Sequence, residues 1–280
     1  MSTLKFSNTF TVGESVYPAS IVQDNDGDFI VVGKTFESND MKAFAKKISG
    51  INDWEKVFFN QYGGLFESID KLLNGNLIMV GTQFYGITSS EEYLWIVRMD
   101  NDGNVLWEYT INDDSIDTQG YSVSATSDGG FIVTGGIIDY INNKTIVIKY
   151  DSSNNMEWQK TFDVGLADSI IQPSDGGFAL SGCTNPDESI KSYVFALKLD
   201  AQGNKVWETI YKDLKNYGPV KSSIIETGLG EFAIVANGII IIVNSDGNIV
   251  YANHFNSKEF TSIMEKDKKK FVVVGSLMSS

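Results

Sequence analysis

One cysteine, one histidine and four prolines are all that 280 residues carry of those three types. The lone Cys183 excludes an internal disulfide, and His254, between Asn253 and Phe255, leaves no Cys/His zinc spacing. Proline is scarce beside 26 glycines, a balance that suits many short strands joined by glycine turns. Cations are scarce too: 22 Lys and Arg stand against 36 Asp and Glu, for a net charge of −14. So acidic a surface repels phosphate, and nucleic acid is excluded as a natural partner. No apolar run reaches the length of a transmembrane helix. Met1-Ser2-Thr3-Leu4-Lys5-Phe6 lacks the basic start and apolar stretch of a signal peptide. The chain is therefore expected to stay where it is made, unless a leader was removed ahead of Met1. A phosphate loop, a dinucleotide fingerprint and a nucleophile elbow are all missing, so no cofactor is expected.

What is present is repetition. Six segments place a serine before a branched residue: Ser20-Ile21, Ser68-Ile69, Ser122-Val123, Ser169-Ile170, Ser223-Ile224 and Ser262-Ile263. Nine residues after each serine stands Phe29, Leu77, Phe131, Phe178, Phe232 or Phe271. Four residues further comes Gly33, Gly81, Gly135, Gly182 or Gly275, with Ala236 in the fifth copy. A second half follows, in which apolar strands run into Asp100, Asp151 and Asp200 and reach Trp107, Trp158 and Trp207 seven residues later. Trp54 and Tyr251 fill the corresponding places in the first and fifth copies. Pairs such as Asp26-Gly27, Asn74-Gly75 and Asp128-Gly129 mark hairpins, because these residues accept positive φ. Asn39–Lys47 is ambiguous between strand and helix.

Each copy spells four short antiparallel strands that cannot bury both faces alone, so the copies must stack. Radial stacking gives an all-β, six-bladed β-propeller in a single domain, residues 1–280. The blades fall at 11–58, 59–111, 112–162, 163–211, 212–255, and 256–280 together with 1–10. Successive serines are 48, 54, 47, 54 and 39 residues apart, and the path through the termini is 38. Phe6 and Phe10 repeat the spacing of Trp54 and Phe58, so residues 4–10 are expected to pair into the C-terminal blade and close the ring. That last blade is short of residues for its third strand.

The motifs Ser127-Asp128-Gly129-Gly130-Phe131-Ile132-Val133 and Lys198-Leu199-Asp200-Ala201-Gln202-Gly203-Asn204-Lys205-Val206-Trp207 resemble a broad prokaryotic family of β-propeller repeats. The resemblance spans essentially the whole chain and implies architecture only. Proteins like this are often exported or surface-attached, usually without an assigned activity.

A residue needed in every copy serves what every copy shares, so the recurrent serines are expected to bond a neighbouring blade's backbone. Asp24-Asn25-Asp26-Gly27-Asp28 and Asp100-Asn101-Asp102-Gly103-Asn104 look like calcium loops but lack the twelve-residue spacing and distal glutamate, so no metal is assigned. His254 is expected on an outer strand, and Cys183 just after an inner one, neither of them catalytic.

Function is expected on the ring face that carries the variable connections. There Tyr62, Phe84, Tyr85, Tyr121, Tyr140 and Tyr217 mix with Asp113 and Asp117, a composition that suits a protein segment or a glycan. The first expectation is a monomeric, non-enzymatic binding or scaffold module. An alternative is a propeller-type glycan hydrolase or lyase using Asp113, Asp117 or Glu92 as acid and base. Another is a structural spacer of a larger surface protein.

Overall fold

The computed structural model describes residues 10–38, 40–49, 53–59, 61–85, 91–111, 116–139, 142–185, 192–212, 221–236, 238–255, 258–268 and 270–277. Six antiparallel sheets follow the six copies. The first blade is β1 (Ser15–Gln23), β2 (Phe29–Glu37), β3 (Asp40–Ile48) and β4 (Trp54–Phe58), so the ambiguous segment is a strand. The second is β5 (Gly64–Lys71), β6 (Leu77–Tyr85), β7 (Glu91–Met99) and β8 (Val105–Thr110). The third is β9 (Asp117–Ala125), β10 (Phe131–Ile138), β11 (Lys144–Tyr150) and β12 (Met156–Phe162). The fourth is β13 (Leu166–Ile171), β14 (Phe178–Cys183), β15 (Val194–Leu199) and β16 (Lys205–Tyr211). The fifth is β17 (Ser222–Glu226), β18 (Phe232–Ala236), β19 (Ile239–Val243) and β20 (Ile249–His254). Among the described residues the last sheet has two strands, β21 (Lys258–Asp267) and β22 (Lys270–Leu277). Each sheet is a simple meander, its first strand innermost. Among the described residues, no helix is long and apolar enough to cross a membrane.

The repeat glycine has a steric cause. In β1, β5, β9, β13 and β21 the register against the second strand slips by one residue, leaving Ala19, Glu67, Tyr121, Asp168 and Thr261 as β-bulges. The bulge pushes a carbonyl of the inner strand onto the glycine opposite. A Cβ on Gly81 would lie 1.9 Å from the Leu65 oxygen, and one on Gly182 would lie 2.0 Å from the Leu166 oxygen. The fifth blade confirms the rule in reverse. Its β17–β18 ladder runs without a slip, and Ala236 pairs directly with Ser222.

Three of the six repeat serines join adjacent blades, in the way their recurrence implied. Ser68 Oγ accepts the N–H of Val123, Ser122 Oγ that of Ile170, and Ser169 Oγ that of Ile224, each at 3.3 Å. The residue after the serine packs against the preceding blade: Ile69, Val123, Ile170, Ile224 and Ile263 are all buried. At the rim, Trp54 and Trp207 donate their indole N–H to carbonyls of the next blade's turn, Asn101 and Ser245, at 2.9 Å. The rings lie flat on Gly103 and Gly247, where a side chain would collide with the indole.

The closing strand expected over residues 4–10 lies outside the described residues except for Phe10. Phe10 packs on Phe44, ring centroids 6.4 Å apart, and Phe58 meets Trp95, the counterpart of Phe44, at 5.4 Å.

Three substitutions test these contacts by denaturant unfolding. Gly182→Ala should cost about 3 kcal/mol or more, since the colliding atom is backbone, whereas Ala236→Gly should cost only about 1 kcal/mol. If both variants unfold alike, the bulge does not dictate the glycine. Ser169→Ala strands the buried N–H of Ile224 and should cost roughly 1–3 kcal/mol. Unchanged stability would mean that this hydroxyl joins nothing.

Candidate functional site

Inner strands start at the variable-loop face, so each bulge residue projects into the channel just inside that mouth. Ala19, Glu67, Tyr121, Asp168 and Thr261 all line the channel space, and Ser222 takes the same place in the fifth blade. The serines that follow them are identical, but these residues all differ. The repeat therefore breaks its symmetry at one layer.

Lys221, next to β17, crosses the channel to form an ion pair with Glu67 of β5. These belong to the fifth and second blades, opposite one another in the ring. Beside the pair, a cavity of about 400 Å³ opens between the third, fourth and fifth blades, lined among others by Gln119, Tyr121, Asn143, Leu166, Asp168 and Lys221. It shares Tyr121, Asp168 and Lys221 with the channel space. Its rim is held by Asn185, whose amide donates to the Asn142 side chain at 2.6 Å and to the Asn143 carbonyl at 2.8 Å.

Asp168 is the most perturbed carboxyl at this mouth. Burial raises it, and the N–H of Ser222 at 3.2 Å, Lys221 and the Ser222 hydroxyl pull it back, while Glu67 adds to the rise; the result is about 7. The Tyr121 phenol is driven above its ordinary range by burial and then by the charges of Asp168, Glu92 and Glu67. It donates to Gln119, whose amide donates to Glu92, and the N–H of Glu92 donates to Asp117 at 3.1 Å.

The expected residues thus fall into separate places. Tyr121, Asp117 and Glu92 share this network. Tyr62, Phe84 and Tyr85 sit on the second blade, all half-buried. Tyr85 lies 6.2 Å from Tyr62 and 5.0 Å from the buried Tyr93, and its hydroxyl donates to Gln83 at 2.8 Å. These rings largely anchor one another. Tyr140, Tyr217 and Asp113 lie outside the described residues. Of the carboxylates considered for acid–base chemistry, Glu92 accepts from Gln119 and Asp117 from backbone. His254 is exposed on β20. Cys183 ends β14, the second strand of its blade, and is buried against the cavity, which corrects its placement beyond an inner strand.

Asp168, Lys221, Glu67, Asn143 and Asn185 were not singled out from the sequence. The signal available was the residue before each repeat serine, which varies where its neighbours do not.

The carboxylates that looked like calcium ligands are occupied by the protein itself. Lys47 meets Asp24 at 2.7 Å and Asp28 at 3.3 Å, with both members of the first pair buried. Asp100 accepts the N–H groups of Asp102 and Asn104 at 3.0 and 2.8 Å. Among the described residues, no three His, Cys, Asp or Glu side chains are placed to hold a metal ion.

No family model matches the chain, and no curated protein does. Solved structures do match. The WD40 domain of Neurospora crassa Pan2 is 12% identical, with 88% of this chain and 82% of that one covered and a TM-score of 0.51. The Dos1 propeller is 11% identical, covering 91% and 74%, with a TM-score of 0.54. An endo-arabinase from Bacteroides thetaiotaomicron is 12% identical, covering 94% and 100%, with a TM-score of 0.52. At such identities these likenesses show the fold alone: the chain is an all-β propeller.

The Lys47–Asp24 pair predicts a pH dependence. Burial alone would raise Asp24, but hydrogen bonds from Lys47, the Asp28 backbone and Asn101, with the lysine charge, hold it below its ordinary value. Burial alone would lower Lys47, and Asp24 and Asp28 raise it instead. The aspartate's contribution is present above the ordinary carboxylate range and lost as pH falls through its depressed value. The lysine's persists until pH rises through its elevated one. Lys47→Met should therefore cost roughly 3 kcal/mol at neutral pH and move the acid unfolding midpoint upward. Matching acid titrations for variant and wild type would remove the pair from the stability account.

Proposed function

We propose that this chain is a binding module that takes a segment of a partner protein at the variable-loop mouth of its channel. The observation that carries the reading is the departure from sixfold symmetry at the bulge layer, where Glu67, Tyr121 and Asp168 border a cavity of about 400 Å³. A purely structural ring needs no such departure, and the volume is that of a ligand pocket. The pocket offers the Tyr121 ring and Leu166 as apolar surface, with amide groups at its rim. A glycan is the second reading, favoured by the rim amides of Asn143 and Asn185. It is weakened by the packing of Tyr62 and Tyr85 against their own neighbours, which removes a stacking platform.

Peptide and glycan arrays probed with the wild type and with Tyr121→Ala distinguish the two. Peptide hits that fall at least about tenfold in the variant, at unchanged melting temperature, support the proposal; tenfold is about 1.4 kcal/mol, within the range of one interface anchor. Glycan hits with the same dependence replace the peptide by a sugar. Hits of either kind that ignore the substitution place binding elsewhere on the ring.

A further inference from the structure

Resting on the binding reading, we infer that the Tyr121–Asp168 corner of the cavity receives the cationic end of the ligand, an ammonium or guanidinium group. Four observations converge there. First, among the described residues the basic side chain beside Asp168 is Lys221, and it is committed to Glu67 across the channel. Its carboxylate is served by the N–H of Ser222 at 3.2 Å and, at 3.5 Å, the limit of such a bond, by the Ser222 hydroxyl. Second, the Tyr121 ring stands at the same corner, and an aromatic face attracts a cation with which it shares a partly desolvated site. Third, among the described residues the charged groups facing the corner are predominantly negative. Glu67 comes from β5, Glu92 from β7 through Gln119, Asp168 itself from β13, and Lys221 from the connection ahead of β17. Fourth, the net charge of −14 draws cations toward the surface before they dock. An anionic ligand fares worse on each count, since it must take Lys221 from Glu67 while facing Asp168 and Glu92.

The corner also couples binding to protonation. A cation is held by the ionised form of Asp168, and burial leaves that carboxyl half-protonated near neutrality. Affinity should therefore rise with pH. For a carboxyl at about 7, deprotonation between about pH 6 and about pH 8 multiplies affinity about tenfold.

The test uses the full chain and four small probes: N-acetyl-arginine methylamide, its neutral norleucine counterpart, its glutamate counterpart, and glucosamine. Binding is followed by NMR shifts of the Tyr121 ring and by calorimetry at about pH 6 and about pH 8. The arginine probe should bind at least about tenfold tighter than norleucine or glutamate, and tighter at the higher pH. Asp168→Asn should weaken it and abolish the pH dependence while leaving the melting temperature within a few degrees. Glu67→Gln, which frees Lys221, should weaken it as well. A stronger response to glucosamine than to the arginine probe would assign the cation to an amino sugar instead of a peptide side chain. Equal binding of the norleucine or glutamate probe at the same ring overturns the cation inference but leaves the binding module standing. A Tyr121 ring that responds to no probe at either pH overturns both.

Discussion

Everything else in this ring follows from a carbonyl that lies where a side chain would otherwise begin. In five of the six inner strands a bulge sets a backbone oxygen against the residue opposite, within about 2 Å of where a Cβ on Gly33, Gly81, Gly135 or Gly182 would lie, and only glycine fits there. The same extra residue lets the serine after it turn toward the neighbouring blade and offer its hydroxyl to a backbone N–H. It also turns the residue before that serine inward, to the channel. One local irregularity thus supplies the packing of a blade, a joint between blades and a position free to vary. Constancy and variation are divided between adjacent residues: the serine bonds a neighbouring blade's N–H, whereas the bulge residue beside it lines the channel and differs from blade to blade.

Departures from the repeat are matched by compensating ones. Lys47, Lys149 and Lys198 occupy one register position on the third strand and pair with the turn aspartates Asp24, Asp128 and Asp175 of their own blades. The second blade has no aspartate in its turn, which reads Leu73-Asn74-Gly75-Asn76, and Arg98 stands at the lysine position. Arg98 reaches instead into the third blade, donating to the Ser152 carbonyl at 3.0 Å and the Asn154 side chain at 2.6 Å. Asn154 is the residue that replaces the turn glycine there, at φ 68°. The longer, planar guanidinium grips a neighbour's turn where an ammonium would have bonded its own. In the fifth blade both partners are gone together: Ile242 holds the lysine position and Thr227-Gly228-Leu229-Gly230 makes the turn.

Much of this architecture was legible because it is repeated. The serines, the hairpin Asp-Gly pairs and the tryptophans recur at fixed spacing, and their roles could be read from what all copies must share. The bulge left a weaker trace, the single Ala236 among glycines, whose meaning needs the ladder register to be seen. The site was legible only in part. Tyr121, Asp117 and Glu92 were singled out as loop-face residues and do share a network. Tyr62 and Tyr85 were singled out on the same grounds and spend their faces on each other and on Tyr93. Composition cannot separate an aromatic that faces solvent from one that faces a neighbouring loop. Nor could it pair Lys221 with Glu67, 154 residues away, because that contact exists only once the second and fifth blades stand opposite each other.

The position of the cavity in the ring is itself informative. At five blade junctions the residue after the repeat serine is no more than 6% exposed, but Ile21, its counterpart where the first blade faces the last, is 60% exposed. Met264, Val272 and Val274 of the last sheet are exposed as well. Among the described residues, the junction between the last and first blades is therefore the least buried of the six. The cavity lies away from it, among the third, fourth and fifth blades, where the serine hydroxyls bridge each successive pair. A binding corner assembled from side chains of different blades holds its geometry only if those blades cannot shift against one another. Asp168 and Tyr121 come from adjacent blades tied by the Ser122–Ile170 bond, and Asp168 reaches the next blade through Ser222, beside the Ser169–Ile224 bond. The joints that hold the ring together are thus one residue away, on the same strands, from the groups that would hold a ligand, and what stiffens the one preorganises the other.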